Sequence, residues 1–426
     1  MQGVTGRLRA GLLLVLVLGI ALTAWVGVGM GATPTTVSVI WNPNERDSFE
    51  AVKKGFEREN PNIKVSVTYA GLGAGYGPQL RSLLQAGSAP DVLYVLPGSA
   101  TVYSVRTLGR EGHLDVLPGK KWDDRVPKDL KVHVSLKSKV YAIPLMQAPI
   151  TVGYNKGLFE QLGLKPPTTF REYLSLCQRI KAAGKVPYAW AGTPVNVNLN
   201  PMIQQAVRTG ASDKNWAQLR AQGKVKFATS AGWRHAIQSV VDMNSAGCFQ
   251  RSPQGTGPQQ AFVMMATGQA LMTTANPGLF GQVARINPNI EIAGFPMPAA
   301  KATDTKLWLT PTTAAGLNKA SKSKAAARTF IEYLASDKAM REYAKVAKAV
   351  SPMDAAKGVG FPSWLPDAKT IAKRGGLRED PTWRFPAGLM ETVLAPGVQG
   401  LFTGQKTVKQ LLADLDAGYD KLTTRR

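Results

Sequence analysis

Carboxylates, the acid and base of glycoside hydrolysis, are scarce in this 426-residue chain, with 28 Asp plus Glu against 52 Lys plus Arg. A glycosidase needs two of them held at a set separation across a cleft. Glu45, Asp91 and Glu391 are the candidates, and nothing in the sequence pairs any two. Asp91 reads instead as a residue capping a turn at a strand edge. His113, His133 and His235 stand apart, without the spacing of a zinc site. G-x-S-x-G is absent, and Cys177 has no nearby helper for a nucleophile's role. The glycine-rich run Ala70–Gly77 misses G-x-G-x-x-G, and Thr403-Gly404-Gln405-Lys406-Thr407 misses the Walker A spacing because Gly400 lies one residue too close. No catalytic residue, metal or cofactor is assigned.

Aromatic and amide side chains suggest a different chemistry. A sugar ring presents an apolar C–H face and a rim of hydroxyls; Trp or Tyr stacks on the face, and paired donors and acceptors read the rim. Trp41 and Asn42 leave the first strand, with Glu45 shortly after. Gln147 lies in a crossing segment, Trp190 ends a strand, Asn276 and Phe280 follow another, and Trp308 begins a third. Trp364 and Trp383 lie in loops of the last third. Core burial is the competing reading for each Trp, and Trp122, Trp216 and Trp233 are left to it.

These residues need elements to position them. Val37–Trp41 reads as a strand, and Asp47 as the start of a helix with Phe49, Val52 and Phe56 on one face. Ile63, Val65, Val67 and Tyr69 alternate as a half-buried strand. A helix over Gln79–Gly87 precedes the apolar run Val92–Val95, a central parallel strand. Ligands of α/β sheets bind outside the carboxyl ends of strands, and Leu96, Pro97, Gly98 and Ser99 occupy that place. From Lys139 to Phe159 the pattern is strand, irregular crossing over Leu145–Pro149, strand over Ile150–Asn155, then a helix start. That is a hinge between two lobes, or an ordinary strand pair in one domain. Further on come a helical segment over Ile203–Gly210, a strand over Gln269–Thr274, a return strand from Trp308 to Asn318, a third crossing at Ser351-Pro352, and an amphipathic helix from Thr407 to Leu422.

Composition narrows the class. With 44% hydrophobic and 19% charged residues the chain is globular, and its formal charge is +24. The cations are dispersed and do not interleave with aromatics, so no nucleic-acid partner is indicated. An anionic wall or lipid surface, or life in acid, would each account for the balance. Arg7 and Arg9 precede the uncharged 19-residue run Leu12–Met30, which reads as an export signal, or as a membrane anchor if uncut. Export places Cys177 and Cys248 in an oxidising compartment. They form either one disulfide, worth about 4 kcal/mol in the chain-entropy model, or two buried thiols.

YAIP followed by YNKGLFEQLGLKPPTTFREY resembles the hinge of the extracellular solute-binding proteins of family 1, the sugar-binding components of ABC importers. SAPDVLYV, GQALMTTANP, the AGLNK return and TGQKTVKQLL follow in the family's order, so the resemblance covers residues 35–423. It implies a two-lobe α/β fold of the periplasmic-binding-protein kind, each sheet mostly parallel, with hinge crossings and ligand between the lobes. The lobes would be residues 37–148 plus 309–350 and 150–305 plus 352–426, after a leader over 1–32. It implies an exported monomer that passes a carbohydrate to ABC permease subunits. By motif order it places Trp41, Pro97, Gly98, Ser99, Asn276 and Glu391 at the ligand. Two departures stand out: Gly278 occupies the place of the family's stacking aromatic, with Phe280 a substitute, and no lipid-bearing cysteine follows the leader. An anionic ligand, such as a glycerol phosphate or a uronate, is the alternative; an exported glycan-active enzyme or adhesin is a third.

Overall fold

The computed structural model describes residues 34–71, 75–117, 124, 126–192 and 214–424. The leader, part of the Ala70–Gly77 loop, Trp122 and the helix expected over Ile203–Gly210 lie outside the described residues. Strands follow in the order β1 (Thr35–Trp41), β2 (Ile63–Tyr69), β3 (Val92–Val95), β4 (Ala142–Pro149), β5 (Thr151–Asn155), β6 (Val186–Tyr188), β7 (Ala270–Ala275), β8 (Ile292–Phe295), β9 (Leu307–Leu317) and β10 (Leu377–Arg378).

Two sheets result. The first has the order β10-β9-β3-β1-β2, with β4 also on β9. Here β1 runs parallel to β2 and β3, whereas β9 is antiparallel to β3 and β4. The second has the order β8-β5-β7-β6. Its β5 is antiparallel to both neighbours, and β6–β7 is its parallel pair. A mostly parallel second sheet is therefore corrected: β5 leads away from the crossing, and β7 and β8 both run back toward it. Each sheet has its own core. Val39, Phe49, Phe56, Leu93, Ile143, Phe330 and Tyr343 belong to one buried cluster. Val152, Tyr173, Trp190, Trp233, Met272, Phe385 and Tyr419 belong to another.

The crossings lie side by side. Only Ile150 separates β4 from β5. The irregular stretch expected over Leu145–Pro149 is strand instead, because β9 supplies a partner to its backbone from Leu309 to Gly316. Register slips on both sides of Thr313: Thr312 is the extra residue in a bulge on β9, and Leu145 on β4 then restores the register. Val350, at the third crossing, exchanges both backbone hydrogen bonds with Gln147, at 2.8 and 3.0 Å.

Helix starts follow capping chemistry. Asn42 Oδ1 accepts from Asn44 N–H at 3.0 Å and opens a 3₁₀ turn, Pro43–Glu45. That turn runs directly into α1 (Arg46–Glu59), so Asp47 is inside the helix rather than before it. Thr169 and Glu172 form a reciprocal capping box on α2 (Phe170–Ala182). A disulfide joins Cys177, on the buried face of α2, to Cys248. Asn276 caps α3 (Pro277–Ile286), accepting from Leu279 N–H at 3.1 Å. The helix α4 (Asp337–Val346) packs on α1 and β4, and α5 (Val408–Thr424) closes the second core.

Candidate functional site

The carboxyl end of β1 carries the first group of expected ligand residues. Trp41 is fully buried: its ring packs on Phe49 and edge-on to Tyr94, and its Nε1–H donates to Tyr343 Oη at 2.9 Å. β-Strand alternation turns this indole into the core, so it offers no face to a ligand. Glu45, 8% exposed, is engaged from four directions. Tyr343 Oη donates to Oε2, Asn42 Nδ2 to Oε1 at 3.0 Å, Tyr94 Oη to Oε1 at 3.5 Å, and Thr313 Oγ1 lies 2.9 and 2.8 Å from the two oxygens. Burial pushes the carboxyl up from 4.5 to about 6, against the lowering effect of those four bonds. Glu45 and Asn42 are thus structural partners of one another and of the crossing strand. The exposed Asn44 faces the other way and accepts at Oδ1 from Gln282 Nε2 of α3, 3.3 Å away. The turn after β1 and the helix capped by Asn276 therefore face each other, one from each sheet.

The loop after β3 is the second group. Gly98 has φ +85°, and a Cβ there would stand 2.6 Å from the Trp383 carbonyl oxygen. Its N–H donates to His133 O at 2.8 Å, and Ser99 donates from N–H to Trp383 O and from Oγ to Phe385 O, each at 3.2 Å. Residues 379–385 thus cover the loop that begins at Pro97. His133 Nε2 lies 2.7 Å from Glu379 Oε1, and Arg384 donates to both Glu379 oxygens at 3.0 and 2.8 Å. Burial works against Glu379's ionisation, yet His133 and Arg384 hold its carboxyl down at about 2. Its neighbour Asp380 is driven by burial to about 7, although Thr382 donates to it from N–H and hydroxyl at 2.9 and 2.7 Å. In the sequence only Trp383 marks this segment, as an aromatic in a loop; the partners of Glu379 and Asp380 carry no local pattern.

On the second-sheet side, Trp190 is fully buried against Phe249 and Phe402, its backbone bonded to Gln250. Trp308, 1% exposed, donates Nε1–H to the Ile150 carbonyl at a crossing. Both indoles are core rather than cleft wall, because each packs within the second buried cluster. Phe280 has Trp364 at 4.9 Å on its ring and Lys348 Nζ at 4.9 Å, so both partners cover what would be a stacking face. Gln147 is buried between crossings. Glu391 is exposed at the start of a π-helical stretch, Met390–Leu394. After burial, its charge is the further influence that raises the Tyr103 phenol to about 12, which puts Glu391 near the rim of the first sheet's loops. A groove of about 310 Å³ lined by Asn155, Gln161, Asn287 and Asn289 lies at the end of β5 remote from the crossings, away from these residues.

The partners of Glu45 and Asp380 are hydroxyls, an amide, a backbone N–H and the Trp383 indole. Among the described residues no cluster of His, Cys, Asp and Glu could hold a metal ion, and no helix is long and apolar enough to cross a membrane.

Known proteins give the same outline. The family model described as bacterial extracellular solute-binding protein matches residues 42–341. The chain is 26% identical over 312 residues to the multiple sugar-binding protein of Streptococcus mutans, covering 72% of this chain and 73% of that one. It is 23% identical over 437 residues to the sn-glycerol-3-phosphate-binding periplasmic protein UgpB of Escherichia coli, covering 93% of each. Among solved structures, SBP RafE in complex with raffinose superposes with a TM-score of 0.73 at 22% identity, covering 91% of this chain and 99% of the other, a likeness of two-lobe fold.

Proposed function

Since the chain belongs to the bacterial extracellular solute-binding protein family, we propose that it captures a neutral sugar or oligosaccharide outside the cytoplasm and delivers it to the permease of an ABC importer. The observation that carries this reading is the opposition of the turn at Asn44 to α3 beside the paired antiparallel crossing strands β4 and β9, an arrangement of two walls that a hinge can shut. The lobes would be residues 37–148 plus 309–350 and residues 150–305 plus 352–426. The two largest buried clusters, which part near Ala148 and between Trp308 and Ala314, support that division. Ligand touching both walls would shift the population toward the closed form. Sugar-binding relatives favour a carbohydrate. The glycerol-phosphate-binding relative keeps an anionic ligand as the second reading, in keeping with the +24 charge.

With Trp41, Trp190 and Trp308 in cores and Phe280 covered, the ligand would be read by residues around Asn44, Ser99, Asn276 and Glu391, and by Trp383, a half-buried aromatic between the walls. A leader over residues 1–32 would direct export, and the unit would act as a monomer. A thermal-shift screen against neutral oligosaccharides, uronates and sn-glycerol 3-phosphate tests the reading. A ligand at a hundred times its Kd adds about 2.7 kcal/mol. Stabilisation by an oligosaccharide supports the proposal; stabilisation by the phosphate alone replaces the ligand class, and silence across the panel removes it.

A further inference from the structure

The bulge in β9 is the irregular point of the paired crossing strands, and a buried carboxylate sits against it. β4 and β9 keep register from Leu309 to Pro311, slip on both sides of Thr313, and resume at Ala314. Thr313 Oγ1 contacts both oxygens of Glu45, and the single Tyr94 hydroxyl hydrogen is shared between the Thr312 carbonyl at 3.0 Å and Glu45 Oε1 at 3.5 Å. From the same carboxylate a second line runs outward. Asn42 Nδ2 donates to Glu45, Asn42 Oδ1 accepts from Asn44 N–H, and Asn44 Oδ1 accepts from Gln282 of the facing lobe. One side chain thus fixes both the bulge and the turn that meets α3.

We propose that Glu45 is a positioning residue for lobe closure: it sets the hinge bulge and the turn after β1 without touching the captured guest, and it does so according to its charge. This rests on the two-lobe capture reading given above. All of its partners present hydrogens to it, which suits a carboxylate. Protonation would place a donor among donors; the hydroxyls able to accept it are that of Thr313 at the bulge, by turning round, and that of Tyr94, which then leaves its hydrogen on the Thr312 carbonyl beside the same bulge. Tyr343 is the less suitable acceptor because its oxygen already accepts from Trp41. The titratable groups facing Glu45 are Tyr94 on β3 and Tyr343 on α4, with Tyr76 and Tyr103 behind Tyr94. Burial raises all four phenols, which keeps them neutral at physiological pH. On the adjoining helix α1, Arg46 stacks over the Tyr69 ring at 3.9 Å, and Glu50 accepts from Tyr69 and Lys53. Glu45 is therefore the group of this cluster that changes charge between pH 5 and 8.

Two readouts test the assignment. The first is the distance between spin labels at Lys64→Cys and Arg171→Cys, exposed positions on the two lobes, measured without ligand at pH 5 and pH 8. The second is the Kd for raffinose over the same range. In the parent the interlobe distance distribution changes with pH. In Glu45→Gln that change is reduced to the part that Asp380, on the segment covering Gly98, contributes, and raffinose Kd differs from the parent by fivefold or more at pH 8, the lower edge of ordinary coupling. Thr313→Val, which keeps Glu45 but removes the hinge hydroxyl, gives the same loss, and Thr313→Ser restores the parent profile. If Glu45→Gln does not fold, the Val and Ser pair decides. Identical pH profiles in parent and variants overturn the proposal. Failure of raffinose to bind leaves the label distances to judge the positioning role, and counts against the sugar reading alone.

Discussion

Replacing Asp380 by Asn should remove most of the alkaline limb of the stability profile. Burial raises this carboxyl from its ordinary 3.8 to about 7, and the adjacent charge of Glu379 adds to the rise while Thr382 opposes it. The folded state therefore holds the proton more tightly than the unfolded chain. The stabilisation is fully present below pH ~4 and is lost as pH climbs through about 7. A gap of about three pH units at about 1.4 kcal/mol each gives about 4 kcal/mol lost between pH 4 and pH 8. Asn keeps the acceptor oxygen that caps the turn at Pro381–Arg384 and cannot ionise. Urea unfolding of parent and variant at intervals from pH 4 to pH 8 reads the difference. The variant should be the more stable protein at pH 8, with a fall across the range smaller by about 4 kcal/mol. Glu45, raised from 4.5 to about 6, leaves both proteins a residual decline of about 2 kcal/mol. Parallel curves would refute the reasoning, since they would mean that Asp380 is ionised without cost in the fold.

Other expectations are as direct. Glu379, held at about 2 by His133 and Arg384 against its burial, stabilises the fold above pH 4.5, and this is lost as pH falls through 2. Glu379→Gln should flatten that acid limb by about 3 kcal/mol in urea titrations from pH 5 to pH 2. The disulfide between Cys177 and Cys248 spans 71 residues. Replacing both by Ala should lower stability by about 4 kcal/mol, and a reductant should then have no further effect on the denaturation midpoint. Gly98→Ala meets both a left-handed backbone and the Trp383 carbonyl. It should cost at least about 1–2 kcal/mol in denaturation and release residues 379–385 to proteolysis.

Much of the fold was readable because its elements carry local signals. Alternation in Ile63–Tyr69 and the apolar run Val92–Val95 marked strands, and the helical face of residues 408–422 marked the last helix. The order of motifs around Tyr141–Pro144 and Tyr154–Phe159 suggested a crossing. Thr169-x-x-Glu172 was also there to be read as a capping box. The direction of the second sheet's strands was not local information, because it depends on which strand returns beside β5. The indole positions were misread for a similar reason. Trp41 ends a strand at a ligand-facing edge, but its partner Tyr343 lies 302 residues later. Glu45 finds Thr313 and Tyr343 at separations of 268 and 298 residues. No window of sequence brings such donors together, so a buried, satisfied carboxylate looked like a ligand contact.

The central claim is that two bodies shut upon a small polar guest. Small-angle scattering with and without saturating oligosaccharide tests it most directly. The account requires the radius of gyration to fall when raffinose or a related oligosaccharide is added, and to recover when it is dialysed away. A radius unchanged by every neutral oligosaccharide that binds would contradict it.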